Sequence, residues 1–168
     1  MMLNKISSKV LKFVYFSIFI IVFLSCNSDN EYDLLWKTAQ EDYSNKDFNS
    51  CLVNINTIIT DNEYFGDLKP ESLFLASEIY LNEYKENDIA ITFLDKIINN
   101  YPNHLMAKRS LFTKAYIHAN YIESFSEAIA LYNQFIVLYP EDDLISSVQY
   151  ELEELKKHES TIFNLINN

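Results

Sequence analysis

The chain has 168 residues, 49% of them hydrophobic and 15% aromatic, which is enough apolar material for one ordinary core. Its single glycine excludes a Gly-rich phosphate-binding loop and disfavours a sheet protein with tight hairpins. The formal net charge of −11 gives a surface that repels phosphates, so a nucleic-acid partner is not expected.

The N-terminus has the layout of a secretory signal peptide. Three lysines and no acidic residue precede the apolar run Phe13–Leu24, which is too short for a comfortable membrane span. The run leads into Ser25 and Cys26, an arrangement that resembles the lipobox of bacterial lipoproteins. This resemblance implies cleavage of residues 1–25, acylation of Cys26 and a polar, acidic tether over 26–31. An uncleaved anchor with a chance cysteine is the alternative interpretation.

The lipoprotein resemblance also implies a location. Several acyl chains give the stable membrane anchoring that one chain cannot, so a lipid-anchored protein of the bacterial outer membrane is expected. By family analogy, Asn27 behind the cysteine does not demand retention in the inner membrane. Residues 27–31 (NSDNE) are similar to the acidic export tag of some surface lipoproteins. A periplasmic and a cell-surface orientation both stay open.

After the tether, amphipathic segments recur at a fixed spacing. Ile89–Pro102 (IAITFLDKIINNYP) and Glu127–Pro140 (EAIALYNQFIVLYP) match at an offset of 38 residues. Each has apolar residues at i, i+1, i+4, i+7 and i+8 before a Tyr-Pro, which predicts a helix. Phe48–Thr60 repeats the pattern 39 residues earlier, but a longer polar loop containing Gly66 replaces its Tyr-Pro. The aligned positions are Cys51, Ala90 and Ala128; Ile55, Leu94 and Tyr132; and Ile58, Ile97 and Phe135.

A first helix precedes each of these segments, at about residues 32–45, 70–84 and 103–120. The first helices share a leucine, an aromatic and a small residue at a spacing of 38. These are Leu35, Leu73 and Leu111; Trp36, Phe74 and Phe112; and Ala39, Ser77 and Ala115. Small residues in both helices of a pair let the two helices approach closely. A constant period with two helices per repeat is typical of a helical solenoid.

This pattern of large, small and small residues with a closing proline resembles the tetratricopeptide repeat (TPR). The resemblance implies an all-α fold, a short TPR-like α-solenoid of about three helix pairs spanning residues 32–158. The repeats are expected at about 32–62, 70–102 and 103–140, with a capping helix over 141–158 and a tail over 159–168. The period of 38–39 residues is longer than the about 34 residues usual for this repeat. Longer repeats of this kind resemble those of envelope lipoproteins such as the BamD-type assembly factor and the TolA-binding periplasmic protein.

No residue pattern in the chain is typical of catalysis. His104, His118 and His158 have no metal-ligand spacing, and His118 is expected to be a satisfied interfacial histidine. Cys51 fills a small-residue position, which predicts a buried, inert thiol. No nucleophile signature or paired-carboxylate site is indicated. We therefore expect a protein that is not an enzyme, with no cofactor and no metal.

The expected function is protein–protein interaction by a lipid-anchored scaffold. The first helices of a repeat stack line a concave groove that fits an extended peptide or a partner helix. Five polar residues of those helices that lie outside the core are the candidate groove residues: Lys37, Glu41, Glu78, Lys114 and His118. Two alternatives stay open. One is a component of an outer-membrane protein assembly complex resembling the BamD-type factor, and the other is a structural spacer in an envelope complex that binds through its ends, near Tyr150 and Leu155.

Overall fold

The computed structural model describes residues 31–166, which form seven α-helices with no strand among them. Residues 31–44 form α1. The others are α2 Phe48–Thr60, α3 Leu68–Asn82, α4 Asn87–Asn100, α5 Leu105–Asn120, α6 Phe125–Leu138 and α7 Ile145–Ile166. No helix in this part of the chain is both long enough and apolar enough to cross a membrane. The predicted signal peptide and Cys26 lie outside the described residues.

The chain divides between Ile58 and Ile59 into two compact units, and the first contains α1 and most of α2. The rings of Tyr43 and Phe48 meet edge to face across the turn between the helices, with centroids 5.7 Å apart. At the start of α2, the Asp47 carboxylate accepts the N–H of Ser50 at 3.1 Å. Among the residues of this unit that the structure describes, four side chains have no exposed surface: Ala39, Cys51, Ile55 and Ile58.

The second unit contains α3 to α7, and each helix packs against the next along the chain. In addition, α3 contacts α5, the first helix of the following pair. Contacts between successive helices and between equivalent helices of adjacent pairs are typical of stacked two-helix repeats. The pairs α3–α4 and α5–α6 are therefore two consecutive repeats.

The second helix of each of these pairs buries the residues that the 38-residue spacing aligns. The fully buried positions are Ala90, Leu94 and Ile97 on α4, and Ala128, Tyr132 and Phe135 on α6. Ala115 of α5 belongs to the same buried apolar cluster as Ala128, so the small residues of both helices lie in one core. Full burial of a side chain the size of leucine or isoleucine contributes about 1.5–3 kcal/mol. The predicted all-α, TPR-like fold is confirmed.

The turn from the first to the second helix of each pair contains a residue with left-handed backbone geometry. These residues are Lys46 (φ 62°), Lys85 (φ 59°) and Glu123 (φ 58°). Just before the last two, the N–H of Tyr84 donates to the carbonyl of Ile79 at 3.2 Å, and the N–H of Ile122 donates to that of Ile117 at 3.1 Å. Such bonds satisfy carbonyl groups that the end of a helix leaves free. The sequence pattern did not reveal the left-handed geometry of these residues, because glycine usually occupies such positions.

Equivalent side chains cap the turns that lead from one repeat to the next. Nδ1 of His104 accepts the N–H of Met106 at 3.1 Å at the start of α5. At the corresponding point before α7, Oδ1 of Asp142 accepts the N–H of Leu144 at 2.9 Å. Asp142 also forms an ion pair with Lys108 of α5. The hydrogen bonds from Lys108 and from the Leu144 N–H lower the pKa of Asp142.

The last helix, α7, completes the core of the second unit. Val148, Leu152 and Leu155 join the apolar cluster formed by α5 and α6. We expected a capping helix over 141–158 and a further turn over Thr161–Ile166, and the structure forms one continuous helix, Ile145–Ile166. No glycine or proline lies between these two residues, so nothing in this stretch opposes helix formation strongly.

Candidate functional site

Two of the predicted groove residues lie on α1 in the first unit. Nζ of Lys37 and Oε1 of Glu41 are 4.0 Å apart, and their side chains are 73% and 64% exposed. An exposed pair of this kind contributes at most about 0.5 kcal/mol to stability, so both charges are available to a partner. The two residues border a shallow depression of about 380 Å³, to which Gln40, Ser44 and Asn45 also contribute.

A third predicted residue, Glu78 on α3, is half-buried and interacts with the charge of Arg109 on α5. Burial raises the pKa of Glu78, and the positive charge of Arg109 opposes that rise. Since α3 and α5 are the first helices of consecutive repeats, the pair lies where those two helices are neighbours. A partly desolvated carboxylate also interacts more strongly with a partner's charge than one in open water.

Lys114 on α5, the fourth predicted residue, is engaged with the preceding repeat. Its Nζ lies 2.8 Å from Oδ1 of Asp95 on α4, and its side chain is only 18% exposed. The ion pair therefore links the second helix of one repeat to the first helix of the next. A role for Lys114 in partner binding stays a prediction, and its charge already has a partner within the unit.

The fifth predicted residue, His118, lies near the C-terminal end of α5 and is half-buried. We expected its ring to be satisfied at an interface, but its Nδ1 is buried without a hydrogen-bond partner. A buried polar atom left without a partner costs about 1–3 kcal/mol. The ring is thus a polar group with an unused hydrogen-bonding position on a first helix.

One depression in the second unit was not predicted from the sequence. It encloses about 360 Å³ between the loop that precedes α3 and the loop that follows α4. Its walls include Phe65, Asp67, Tyr101, Pro102 and His104, and we call it the loop depression. The only signal in the sequence was the replacement of Tyr-Pro by a longer loop that contains the single glycine of the chain.

The described residues offer little that is typical of chemical catalysis. Among them, no group of three or more His, Cys, Asp or Glu side chains is arranged to hold a metal ion. Cys51 is fully buried, and burial raises its thiol pKa to about 11. Such a thiol is protonated at neutral pH and shielded from reagents, which confirms the prediction of an inert cysteine.

A family model of the tetratricopeptide repeat matches residues 71–104. The matched segment begins in the first turn of α3 and ends in the loop after α4, so it covers one two-helix repeat. A search of curated proteins found no match to the chain. The protein thus has tetratricopeptide-repeat character, and this all-helical fold is typically a non-catalytic module for protein–protein interaction.

Proposed function

We propose that this protein is a lipid-anchored adaptor of the bacterial cell envelope that binds another protein. The observation that carries the proposal is the match of the tetratricopeptide-repeat family to residues 71–104. Stacked repeats bury their cores on their neighbours and leave side chains of successive helices aligned on one surface, which suits binding of an extended partner. The proposed activity is binding, with no chemical step.

The first helices supply the proposed binding surfaces, one on each unit. On the second unit, Glu78 with Arg109 and the half-buried imidazole ring of His118 provide polar groups that are partly withdrawn from water. On the first unit, Lys37 and Glu41 provide exposed charges. Polar groups in partly desolvated positions contribute specificity, since a partner that does not match them leaves them unpaired.

Site-specific photo-crosslinking in intact cells tests the binding proposal. A photoreactive amino acid at position 37, 78 or 118 of the full chain is expected to give the same crosslinked protein partner. Gln134, an exposed residue of the second helix α6, is the control position and is expected to give none. Charge reversal by Glu78→Lys is expected to lower the yield of the crosslink at position 118. Equal crosslinking from position 134 would contradict binding through the first helices.

The proposed anchor depends on the lysines, apolar run, Ser25 and Cys26 of the N-terminus. Cys26→Ala is expected to abolish metabolic labelling by an alkyne fatty acid and to release the protein from the membrane fraction. Cys51→Ala is the matched control. Because Cys51 is fully buried, its substitution is expected to leave labelling unchanged. Membrane association that survives Cys26→Ala would favour an uncleaved anchor instead.

The proposed location is the outer membrane, and both a periplasmic and a cell-surface orientation fit the proposal. Fractionation of the two membranes tests the location, and recovery in the inner membrane would contradict it. Protease treatment of intact cells then separates the two orientations, since only a protein on the cell surface is digested before the outer membrane is permeabilised.

A structural spacer that binds through its end is the second candidate, and one observation favours it. Tyr150 on α7 is 63% exposed, and an exposed tyrosine is a common anchor of protein interfaces. Leu155, the other residue expected at that end, is only 8% exposed and belongs to the core. Tyr150→Ala is expected to reduce partner recovery if the protein acts as a spacer, whereas Glu78→Lys reduces it if the first helices bind.

A further inference from the structure

The loop before α3 is ordered by its own polar contacts. The ammonium group of Lys69 donates to the carbonyls of Asp61 and Tyr64, the latter at 3.0 Å. The N–H of Glu63 donates to Oδ1 of Asp61 at 2.7 Å. A lysine that holds two backbone carbonyls restricts the conformations open to the loop. The loop therefore has a defined shape next to α3.

This loop presents an aromatic ring to water. Phe65 is 89% exposed, more than any other large apolar side chain in the described part of the chain. Burying a phenylalanine is worth about 1.5–3 kcal/mol, so the loop leaves this stabilisation unused. At the adjacent Gly66, an added Cβ would lie 2.2 Å from the hydroxyl of Tyr64, so the Tyr64 ring sits directly against the glycine backbone. Exposed aromatic rings on ordered loops are typical anchors for a partner.

The loop depression beside Phe65 has the composition of a cation site. Aromatic and proline side chains form part of its wall, through Phe65, Tyr101 and Pro102. The polar part of the lining includes the carboxylate of Asp67 and the imidazole of His104. No lysine or arginine is among the described residues that line the depression. Its charged group is therefore negative, and its aromatic rings also favour a cation.

The carboxylate of Asp67 does not cap the helix that follows it. Asp67 occupies the N-cap position of α3, yet its side chain accepts no hydrogen bond from the helix. It is 90% exposed, and its Oδ1 lies 3.9 Å from Nε2 of His104. Because Nδ1 of His104 accepts the N–H of Met106, a neutral His104 carries its proton on Nε2. Asp67 thus keeps acceptor positions free at the rim of the depression.

We propose that the loop depression binds the guanidinium group of an arginine on a basic segment of the partner protein. The arginine stem and guanidinium plane pack on the Phe65 ring, and the guanidinium donates to Asp67. Arginine fits better than lysine, since its planar fork binds carboxylates in two places and stacks on aromatic rings. The net charge of −11 also attracts a basic partner. This inference rests on the proposed protein-binding function and specifies the chemistry of the partner.

Titration with N-acetylargininamide tests the inference. The full chain, ¹⁵N-labelled and held in detergent micelles, is titrated while amide shifts are followed by NMR. Saturable shifts are expected at residues 65–67 and 103–104. N-acetylcitrullinamide has nearly the same shape without the charge, and it is expected to bind at least tenfold more weakly.

Variants of exposed residues locate the site. Phe65→Ala and Asp67→Asn are each expected to weaken N-acetylargininamide binding about tenfold. Asp143→Asn removes an equal charge from the exposed loop before α7 and is expected to leave binding unchanged. Equal binding of the citrulline compound, or equal weakening by Asp143→Asn and Asp67→Asn, would overturn the inference. If arginine binding fails while positions 37, 78 and 118 still crosslink a partner, the inference falls and the proposed function stands.

Discussion

Nζ of Lys114 on α5 lies 2.8 Å from Oδ1 of Asp95 on α4, so a charge pair joins the two consecutive repeats of the second unit. The lysine side chain is 18% exposed and the aspartate side chain 39%. Water screens the pair only in part, and pairs near the surface contribute about 0.2–1 kcal/mol. Because the pair joins two repeats, it stabilises the packing of one repeat against the next.

A double-mutant cycle measures this interaction. Lys114→Ala, Asp95→Ala and the double variant are unfolded in urea as full chains in detergent, and a coupling free energy of about 0.5–1 kcal/mol is expected. The same cycle on Lys37 and Glu41, which are 4.0 Å apart and far more exposed, is the control and should give less than about 0.5 kcal/mol. Equal coupling in both pairs would contradict a role for Lys114 in stacking.

Tyr132 fills a core position of α6, and its hydroxyl is buried without a hydrogen-bond partner. Burial raises the pKa of Tyr132, so the hydroxyl stays protonated at neutral pH. Tyr132→Phe removes this group and keeps the ring, and we expect the free energy of unfolding to rise by about 1 kcal/mol. Tyr150→Phe, at a site 63% exposed, is expected to change it little. A loss of stability in Tyr132→Phe would show that the hydroxyl has a partner in solution.

The turn between α5 and α6 places Glu123 at φ 58°, where a side chain is strained. Glu123→Gly relieves that strain, and we expect stabilisation by about 0.5–1 kcal/mol in urea unfolding. Gln134→Gly is the control, and it is expected to change stability in the opposite direction. In the exposed interior of α6, glycine is expected to cost about 1 kcal/mol. Destabilisation by both substitutions would contradict the left-handed turn.

The thiol of Cys51 gives the first unit a specific pH dependence. Its pKa rises from 9.0 to about 11 through burial, with smaller effects of the charges on Asp42 and Asp47. Between these pH values the unfolded chain loses the thiol proton while the folded chain keeps it, so stability falls as pH rises. Below pH 9 the thiol keeps its proton in both the folded and the unfolded chain, so its contribution to stability is fully present.

Comparison of wild type with Cys51→Ala isolates this effect from other titrating groups. Alanine fits the position, as Ala90 and Ala128 fill the equivalent ones without exposed surface. We expect the two urea midpoints to keep a constant difference below pH 9, and the wild type to lose more stability from pH 9 to 11. Parallel curves over that range would contradict the raised pKa.

The core of the repeats followed directly from the sequence. Cys51, Ala90 and Ala128 recur at spacings of 39 and 38, and all three are fully buried. This was predictable because the helical period and the apolar stripe are local properties, and a repeat imposes the same stripe on every second helix.

Other features of the candidate surfaces needed the tertiary structure. No sequence pattern pairs Lys114 with Asp95, since 19 residues and a helix-to-helix turn separate them. We also proposed both Tyr150 and Leu155 for binding at the C-terminal end, although Leu155 is on the apolar stripe of the last helix and is buried against α5 and α6, while Tyr150 is exposed. Which side of a helix meets a neighbour depends on packing between helices, which no single segment specifies.

By itself, the sequence determined an all-helical repeat protein, its period and the residues of its core, because these depend on short-range periodicity. The tertiary structure alone decided which charges are engaged, where the left-handed turns lie, and that the irregular loop exposes Phe65 beside Asp67. The engaged charges arise from contacts between distant segments, the left-handed turns from local backbone geometry that no glycine marks, and the exposed Phe65 from a loop that follows no repeat.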